Sequence, residues 1–317
     1  MEYNEEKLCI LWHSDADGLY SAIAYYLAQG KPEIGGYHSV DYGIDHSNLK
    51  DQYDKFWIFD YADNIGGDKT VLWVDHHLRR DDTCKGVEII EEAPSCVRLL
   101  ARKNMIQMKE KDILCIDTVD SGDYTWSDSF TREDLLFPEP KDRLSKYIIL
   151  NQLLRKNRKH GLAERLFNIE TLDVDTNLYY IEKDPSAVRY TEYMNNKQRL
   201  FDKLLKGKFI KYFDGIPVLF TKEFEKNDWK GWDMNMLGYL SHKSPFMIIV
   251  FDMAENINVQ VLRNVFFNGE RKSVFDILKD SIDKPRGHEN ILNFTYKTHN
   301  EAITKLDGII SKLSVEL

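Results

Sequence analysis

Four short segments in the first 125 residues concentrate aspartates and histidines, side chains that bind divalent cations. They are "HSDADG" (13–18), "FDYAD" (59–63), "DHH" (75–77) and "IDTVDSGD" (116–123). Neutral imidazole is a preferred metal ligand, and carboxylate oxygens suit Mn²⁺ and Mg²⁺. Crowded carboxylates destabilise a fold unless cations neutralise them. Four such segments meeting at one place would therefore form a metal centre.

Three of the four segments also have a simpler interpretation. One aspartate of "HSDADG" suits a helix N-cap, because Asp is favoured at that position. Asp63 and Asp123 suit ordinary turns. A cap needs neither a second aspartate nor a histidine, however, and His13, Asp15 and Asp17 alternate so that they converge if the chain stays extended.

The segments follow apolar runs typical of buried strands. The runs are "KLCILWH" (7–13), "KFWIF" (55–59), "TVLWV" (70–74) and "KDILCI" (111–116). Helical patterns "GLYSAIAYYLAQG" (18–30) and "APSCVRLLARKNM" (93–105) separate some of them. Alternating strands and helices indicate a parallel sheet, whose ligands bind beyond the carboxyl ends of the strands. All four polar segments are expected at that edge.

The second half of the chain has a different pattern. Residues 128–183 are predicted to form a helical, partly basic extension of the first domain, 1–183, and a polar helix at 184–206 is predicted to link it to a second domain, 207–317. In that domain, "KFIKYFDGIPVLFTKE" and "FMIIVFDMAENINVQVLRNVFF" indicate hairpins, the first turning at Asp214-Gly215. The predicted fold class is α/β: a mostly parallel, doubly wound sheet, with a second, smaller α/β domain joined by a helical linker.

Composition limits the partners. The formal net charge is −9, whereas a protein that holds long nucleic acid normally shows a basic footprint. Four cysteines without a C-x-x-C pair favour reduced thiols, and no apolar stretch reaches about 18 residues. The acidic start of the sequence lacks the pattern of a secretory signal. We therefore expect a cytoplasmic protein that makes no contact with membranes and acts on a short or small phosphorylated substrate.

The motifs "HSDADGLYSA", Asp60 after a strand, "VDHH" and the Asp-rich segment after residue 116 resemble, in order, those of the DHH phosphoesterase family over residues 8–125. The second domain more loosely resembles the DHHA1 domain of that family. Arg263 matches an arginine that lies on a strand of the DHHA1 domain and binds substrate phosphate. In "KPRGHEN", Gly287 and His288 are all that remains of a glycine-rich loop, to which this chain adds Arg286.

The resemblance implies a metal-dependent hydrolase with two Mn²⁺ ions per active site, for which Mg²⁺ or Co²⁺ are substitutes. The implied ligands are Asp15, Asp17, Asp60, His76 and one of Asp117 or Asp120, with Asp60 as the bridge and His13 as a further ligand. His77 would face the scissile phosphate as a catalytic residue, and Asp75 would bind metal or orient its neighbours. Arg263, Arg286, Gly287 and His288 would bind substrate.

The predicted function is a phosphodiesterase that hydrolyses short oligonucleotides or dinucleotides through a hydroxide activated by the two ions. The alternatives are a RecJ-like single-strand exonuclease, for which the basic stretch 155–165 would line a strand path, and an exopolyphosphatase or phosphomonoesterase. A further alternative is a degenerate nucleotide-binding sensor without turnover. A single-stranded nucleic acid partner and a homodimer are left open.

Overall fold

The computed structural model describes residues 6–42, 44–77, 84–207, 209–252, 256–269, 272–279, 286–288 and 290–317. The chain forms two compact units. The first comprises Met1–Tyr124 and Pro138–Tyr190, and the second comprises Thr125–Phe137 and Thr191–Leu317. The division into a catalytic domain at 1–183, a linker at 184–206 and a substrate-binding domain at 207–317 stays a prediction.

The first unit is built on a five-stranded sheet. Its strands are β1 (Leu8–His13), β2 (Gly36–Val40), β3 (Lys55–Phe59), β4 (Thr70–Asp75) and β5 (Val87–Ile90). They lie in the order β2-β1-β3-β4-β5, and every neighbouring pair is parallel. The chain passes from β1 to β2 on one side and then returns to β3 on the other. In sheets of this kind, ligands bind where the direction changes, which here is at the carboxyl ends of β1 and β3.

The helices of the first unit are α1 (Ala16–Ala28), α2 (Cys96–Arg102), α3 (Glu110–Ser121), α5 (Arg143–Asn157), α6 (Leu162–Ile169) and α7 (Val174–Lys183). Short 3-10 turns occupy Ser47–Asp51, Gly67–Lys69 and Arg158–His160. The prediction of a fourth strand at residues 111–116 was wrong, because these residues lie in α3 together with the start of the Asp-rich segment. Ile113 and Ile116 are both buried, three residues apart, which is helical spacing, and Gly122 ends the helix at φ 69°.

The second unit contains a six-stranded mixed sheet. Its strands are β6 (Ile210–Phe213), β7 (Ile216–Phe220), β8 (Phe246–Asp252), β9 (Ile257–Arg263), β10 (Arg286–His288) and β11 (Ile291–Tyr296), in the order β10-β11-β9-β8-β7-β6. Both predicted hairpins are confirmed, since β6 pairs with β7 and β8 with β9 in antiparallel register. Asp214 and Gly215 have φ values of 47° and 82°, as a two-residue turn with two positive φ angles requires.

The helices of the second unit are α4 (Arg132–Leu136), α8 (Tyr190–Lys206), α9 (Asp228–Gly231), α10 (Asn235–Leu240), α11 (Val274–Leu278) and α12 (His299–Ser314). Leu200 and Leu204 of α8 pack in a core shared with Leu219 of β7 and Ile249 of β8. The two units thus match the predicted α/β fold class, with a parallel sheet followed by a second α/β unit. Among the helices that the structure describes, none is both long and apolar enough to cross a membrane.

Candidate metal centre

The candidate ligands lie at the carboxyl edge of the parallel sheet, at the ends of three strands and the start of one helix. His13 is the last residue of β1, Asp60 directly follows β3, and Asp75 is the last residue of β4. Asp15 caps helix α1, and Asp17 lies in its first turn. All four aspartates are buried. The sheet topology therefore gathers residues from separate parts of the sequence into one site.

Asp60 lies at the centre of this group. One carboxylate oxygen, Oδ1, is 3.2 Å from Nε2 of His76 and 3.6 Å from Nδ1 of His77, and the other, Oδ2, is 3.6 Å from Nδ1 of His13. Its backbone has φ 56°, in the left-handed region, which costs about 1–2 kcal/mol for a residue with a side chain. Burial, with a contribution from Asp15, raises the pKa of the Asp60 carboxyl. Strain and unfavourable charge at one residue are features of functional sites.

His76 presents one ring nitrogen to three carboxylates. Its Nδ1 lies 2.9 Å from the carbonyl oxygen of Ala93, and since a carbonyl only accepts, Nδ1 carries a proton. Nε2 then faces Asp60, Asp120 at 3.1 Å and Asp17 at 3.9 Å, yet forms no hydrogen bond of good geometry. Burial alone would lower the pKa of His76, but the surrounding carboxylates, Asp120 first, raise it well above 6.5. A cation at this position would replace the proton on Nε2.

Asp17 is fixed by the start of helix α2. Its two carboxylate oxygens accept the backbone N–H groups of Cys96 at 2.7 Å and Val97 at 2.9 Å. Burial, together with the charges of Asp60 and Asp120, raises the pKa of Asp17 well above its ordinary value. The carboxylate of Asp17 is therefore held in place, and the groups around it do not fully neutralise its negative charge.

Asp15 and His13 lie on another side of Asp60 and form a second group of potential ligands with it. Oδ2 of Asp15 is 2.8 Å from Nδ1 of His13, and Oδ1 accepts the N–H of Gly18. Burial would raise the pKa of Asp15, but His13 and then Arg155 hold it well below 3.8. Gly18 is required because a Cβ there would lie 2.4 Å from the backbone oxygen of His13. The glycine thus permits a close approach of two backbone segments, which the motif alone does not reveal.

His76 and His77 lie beyond the end of β4 at Asp75, so the alternation of side chains along a strand does not apply to them. Both rings approach Asp60, with centroids 4.6 Å apart. Nδ1 of His77 lies 2.7 Å from Oδ1 of Asp75. Burial would lower the pKa of His77 and raise that of Asp75, but their ion pair and hydrogen bond shift both in the opposite directions. Asp75 therefore holds the orientation of the His77 ring.

The two candidate aspartates of helix α3 have different surroundings. Asp120 approaches His76, whereas Asp117 accepts hydrogen bonds from the guanidinium of Arg98, at 2.6 and 2.8 Å, and from Ser95 Oγ at 2.6 Å. Asp117 also lies beside the N-cap of α2 through Ser95. The structure brings Asp120 into the cluster and leaves Asp117 outside it. Asp117 instead contacts the start of α2, the helix whose first backbone N–H groups bind the carboxylate of Asp17.

Three contacts of the site were missed from the sequence. Cys96 lies with its sulfur 3.9 Å from Asp60, and burial raises the pKa of its thiol well above 9.0. Arg155 of α5 reaches Oδ2 of Asp15 at 3.2 Å. Arg158 reaches Oδ1 of Asp41 at 3.3 Å, and the same oxygen lies 4.0 Å from Nε2 of His13. The basic stretch that begins at residue 155 was the available signal, but its distance in sequence hides the contact with Asp15.

The donor set fits divalent metal ions. Three groups of side chains have ligand atoms within 4.8 Å of one another: Asp17, Asp60, His76 and Cys96; His13, Asp15 and Asp60; and Asp60, Asp75 and His77. Asp60 belongs to all three groups. Buried polar atoms without a hydrogen bond include Nε2 of His76, Oδ2 of Asp60 and Nδ1 of His13. Oxygen and imidazole donors that the protein leaves unsatisfied suit a cation such as Mn²⁺.

The candidate substrate residues lie in the second unit. Arg263 ends β9 and is buried rather than exposed, and its backbone N–H donates to the carbonyl of Asn290 at 2.8 Å. Arg286, Gly287 and His288 form β10, where His288 pairs with Ile291 of β11. Their side chains lie outside the described part of the chain, so the predictions for them remain predictions.

Comparison with solved structures identifies the fold. No family model matches the sequence, and no curated protein does. The structure of the pGpG-specific phosphodiesterase PggH from Vibrio cholerae matches with a TM-score of 0.58 at 16% identity, over 98% of this chain and 99% of that one. RecJ from Thermus thermophilus, solved with Mn²⁺, matches with a TM-score of 0.53 at 13% identity, over 98% of this chain and 52% of that one. The resemblance to DHH phosphoesterases is confirmed at the level of the fold.

Proposed function

We propose that this chain is a divalent-metal-dependent phosphodiesterase that hydrolyses short oligonucleotides or dinucleotides. The observation that carries the proposal is the position of Asp60, whose buried carboxylate belongs to all three groups of potential metal ligands. A carboxylate shared between ligand groups is what a bridge between two cations requires.

The proposed ligands are Asp15, Asp17, Asp60, His76 and Asp120, with His13 as a further ligand beside Asp15. When bound, two divalent cations would activate a water molecule and neutralise charge that develops on the phosphate. Mn²⁺ is the proposed ion, because the donors are mainly oxygen with added imidazole, and Mg²⁺ or Co²⁺ are the alternatives. Asp117 is proposed as a support that fixes Arg98 and Ser95 beside α2.

His77 is the proposed contact to the scissile phosphate. Since Nδ1 donates to Asp75, the ring has a fixed orientation and directs Nε2 away from that carboxylate. The raised pKa of His77 favours the imidazolium, which stabilises negative charge on the phosphate and can protonate the leaving oxygen. Asp75 acts through His77 by fixing its tautomer.

The size of the substrate is inferred from charge and from the structural relatives. PggH is described as specific for pGpG, a dinucleotide, and its whole length matches this chain. This chain spans about half the length of RecJ. With a net charge of −9, a short substrate is favoured over a long polymer. Arg263, Arg286, Gly287 and His288 are the proposed contacts to the remaining phosphate and ribose.

A single-strand exonuclease is the second candidate. The likeness to RecJ supports it, and so do the arginines of the basic stretch that reach the site. Exopolyphosphatase activity and a sensor role without turnover remain alternatives that the same experiment tests.

The test is a substrate panel with Mn²⁺ present: a 5′-labelled dinucleotide, a long single-stranded oligonucleotide, a cyclic dinucleotide and polyphosphate. We expect fast hydrolysis of the linear dinucleotide. The Asp75→Ala/His76→Ala double variant should lose hydrolysis while it stays folded. Full activity in that variant, or turnover of polyphosphate alone, would contradict the proposal. Arg263→Ala should mainly raise KM, and an unchanged KM would remove Arg263 from substrate binding.

A further inference from the structure

A large aromatic side chain lies exposed beside the metal centre and has no part in the chemistry proposed above. Tyr42 follows β2 at the carboxyl edge of the parallel sheet, and 43% of its surface is exposed. Its ring centroid is 5.4 Å from that of His13 and 6.3 Å from that of His77. An exposed aromatic ring at this distance from a site for phosphate chemistry is a candidate for contact with substrate.

The ring of Tyr42 is held rigidly. It stacks on Tyr61 with centroids 4.6 Å apart and an angle of 19° between the planes. Its hydroxyl oxygen accepts the backbone N–H of Ala62 at 3.0 Å. Tyr61 is itself buried, and its hydroxyl donates to the carbonyl of Asp41. The hydroxyl end of Tyr42 is therefore anchored while the residue as a whole stays exposed, and little conformational freedom remains to be lost on binding.

We propose that Tyr42 is a stacking platform for a nucleobase of the substrate, next to the phosphate that His77 contacts. This inference rests on the proposed phosphodiesterase function and deepens it by naming a residue that contacts the base of the substrate. Every nucleobase has a π-face, so stacking tolerates changes of base but excludes chains without bases. The ring lies close enough to His77 for one nucleotide to reach both residues, with its base on Tyr42 and its phosphate beside the imidazole.

The chemical consequence is selection for nucleotides over polyphosphate. Phosphate and metal contacts are common to both substrates, and stacking on Tyr42 is available only to the nucleotide. Loss of a base-stacking aromatic lowers affinity roughly 10- to 100-fold. Purines, with their larger rings, should gain more from Tyr42 than pyrimidines do.

Equilibrium binding tests the proposal independently of turnover. The probe is a phosphorothioate-linked dinucleotide that carries fluorescent 2-aminopurine, and its affinity and quenching are measured with the wild type, Tyr42→Leu and Tyr42→Phe. Leucine keeps an apolar side chain without a ring, whereas phenylalanine keeps the ring without the hydroxyl. We expect Tyr42→Leu to weaken binding roughly 10- to 100-fold and abolish quenching, and Tyr42→Phe to remain close to the wild type.

A second measurement needs no variant. The wild type should bind the dinucleotide more tightly than its abasic counterpart by the same factor, whereas Tyr42→Leu should bind the two alike. Equal affinity of the wild type for both, or an equal loss of both in a folded Tyr42→Leu, would overturn the proposal. A chain that binds the probe through Tyr42 but cleaves no phosphodiester would refute the proposed activity and leave the stacking role intact.

Discussion

The two units bury charge in opposite ways. In the second unit, Lys197 is fully buried, its ammonium lies 2.6 Å from a carboxylate oxygen of Asp233, and the rings of Phe137 and Tyr193 lie within 5.6 Å of the same nitrogen. One buried cation meets one largely buried anion there. In the first unit, Asp17 and Asp60 share the nearby imidazole of His76 with Asp120. Charge is therefore matched at the Lys197–Asp233 pair, whereas carboxylates are in excess around His76.

The difference between the two sites indicates why the first unit has an excess of carboxylates. A buried ion pair such as Lys197–Asp233 needs nothing from solution, because each charge has its partner. Crowded carboxylates with raised pKa values need an added cation, and their site is costly to maintain without one. The first site should therefore respond to metal ions and the second should not.

The largest expected effect comes from Asp60→Asn. The substitution keeps the shape, and Asn also tolerates the left-handed backbone at this position. Hydrolysis in the presence of Mn²⁺ should fall by about 10³-fold or more, since a bridging ligand supports several kcal/mol of transition-state stabilisation. Without metal, the variant should melt at a higher temperature than the wild type, because a carboxyl with a raised pKa is removed. Retained activity, or a lower melting temperature without metal, would contradict this account.

Lys197→Met tests the other site of the comparison, because it removes the Lys197–Asp233 ion pair of the second unit. The variant leaves Asp233 buried without its cation, which costs about 3–5 kcal/mol of unfolding free energy. Urea unfolding with and without Mn²⁺ measures the loss, which should be the same in both. A loss that depends on Mn²⁺ would show that the two sites are coupled.

A matched pair of variants on helix α3 sharpens the assignment of ligands. Asp120→Asn removes a carboxylate that faces His76 and should weaken Mn²⁺ binding more than Asp117→Asn does. Asp117→Asn breaks charge-assisted hydrogen bonds to Arg98 and should cost about 1.5–3 kcal/mol of stability, with a loss of metal affinity of about 10- to 100-fold at most. Calorimetric titration and thermal unfolding of both variants check this, and the reverse ranking in metal affinity would exchange their roles.

The smallest expected effect, for a change of one pH unit and one proton, is the dependence of metal binding on pH. The folded, metal-free protein holds a proton on His76 above the ordinary pKa of 6.5, and Asp17 likewise binds its proton more tightly than usual. Because the metal must displace such protons, affinity should rise with pH by up to about tenfold per pH unit for each proton released, and the rise should continue above 6.5 until metal-free His76 loses its proton. Titration in buffers of different ionisation enthalpy counts these protons. Affinity that is independent of pH would indicate that His76 does not bind the metal.

The sequence predicted the fold class and the edge of the sheet at which the polar residues meet, because both follow from local patterns. Apolar runs followed by acids reveal strand ends, and Asp214-Gly215 reveals its turn. The interpretation of residues 111–116 as a strand was wrong, since short apolar runs occur in buried helices as well as in strands. Ile113 and Ile116 are spaced for a helix.

The remaining features of the site depend on contacts between residues distant in sequence. Arg155 reaches Asp15 across 140 positions, and Cys96 contacts Asp60 across 36. Nothing in the sequence separates Asp117 from Asp120, because their roles depend on which way each faces on α3. Gly18 is the last residue of "HSDADG", but the reason for the glycine is the backbone of His13 that lies against it.

The number of Mn²⁺ ions bound per chain tests the central claim most directly, that two cations complete the carboxylate cluster around Asp60. Calorimetric titration of the metal-free wild type, with electron paramagnetic resonance of the loaded protein, gives both the count and the coupling between ions. We predict two ions per chain with the coupled spectrum of a bridged pair, and loss of that coupling in Asp60→Asn. Fewer than two ions bound by the wild type, or an unchanged coupled pair in Asp60→Asn, would contradict the account.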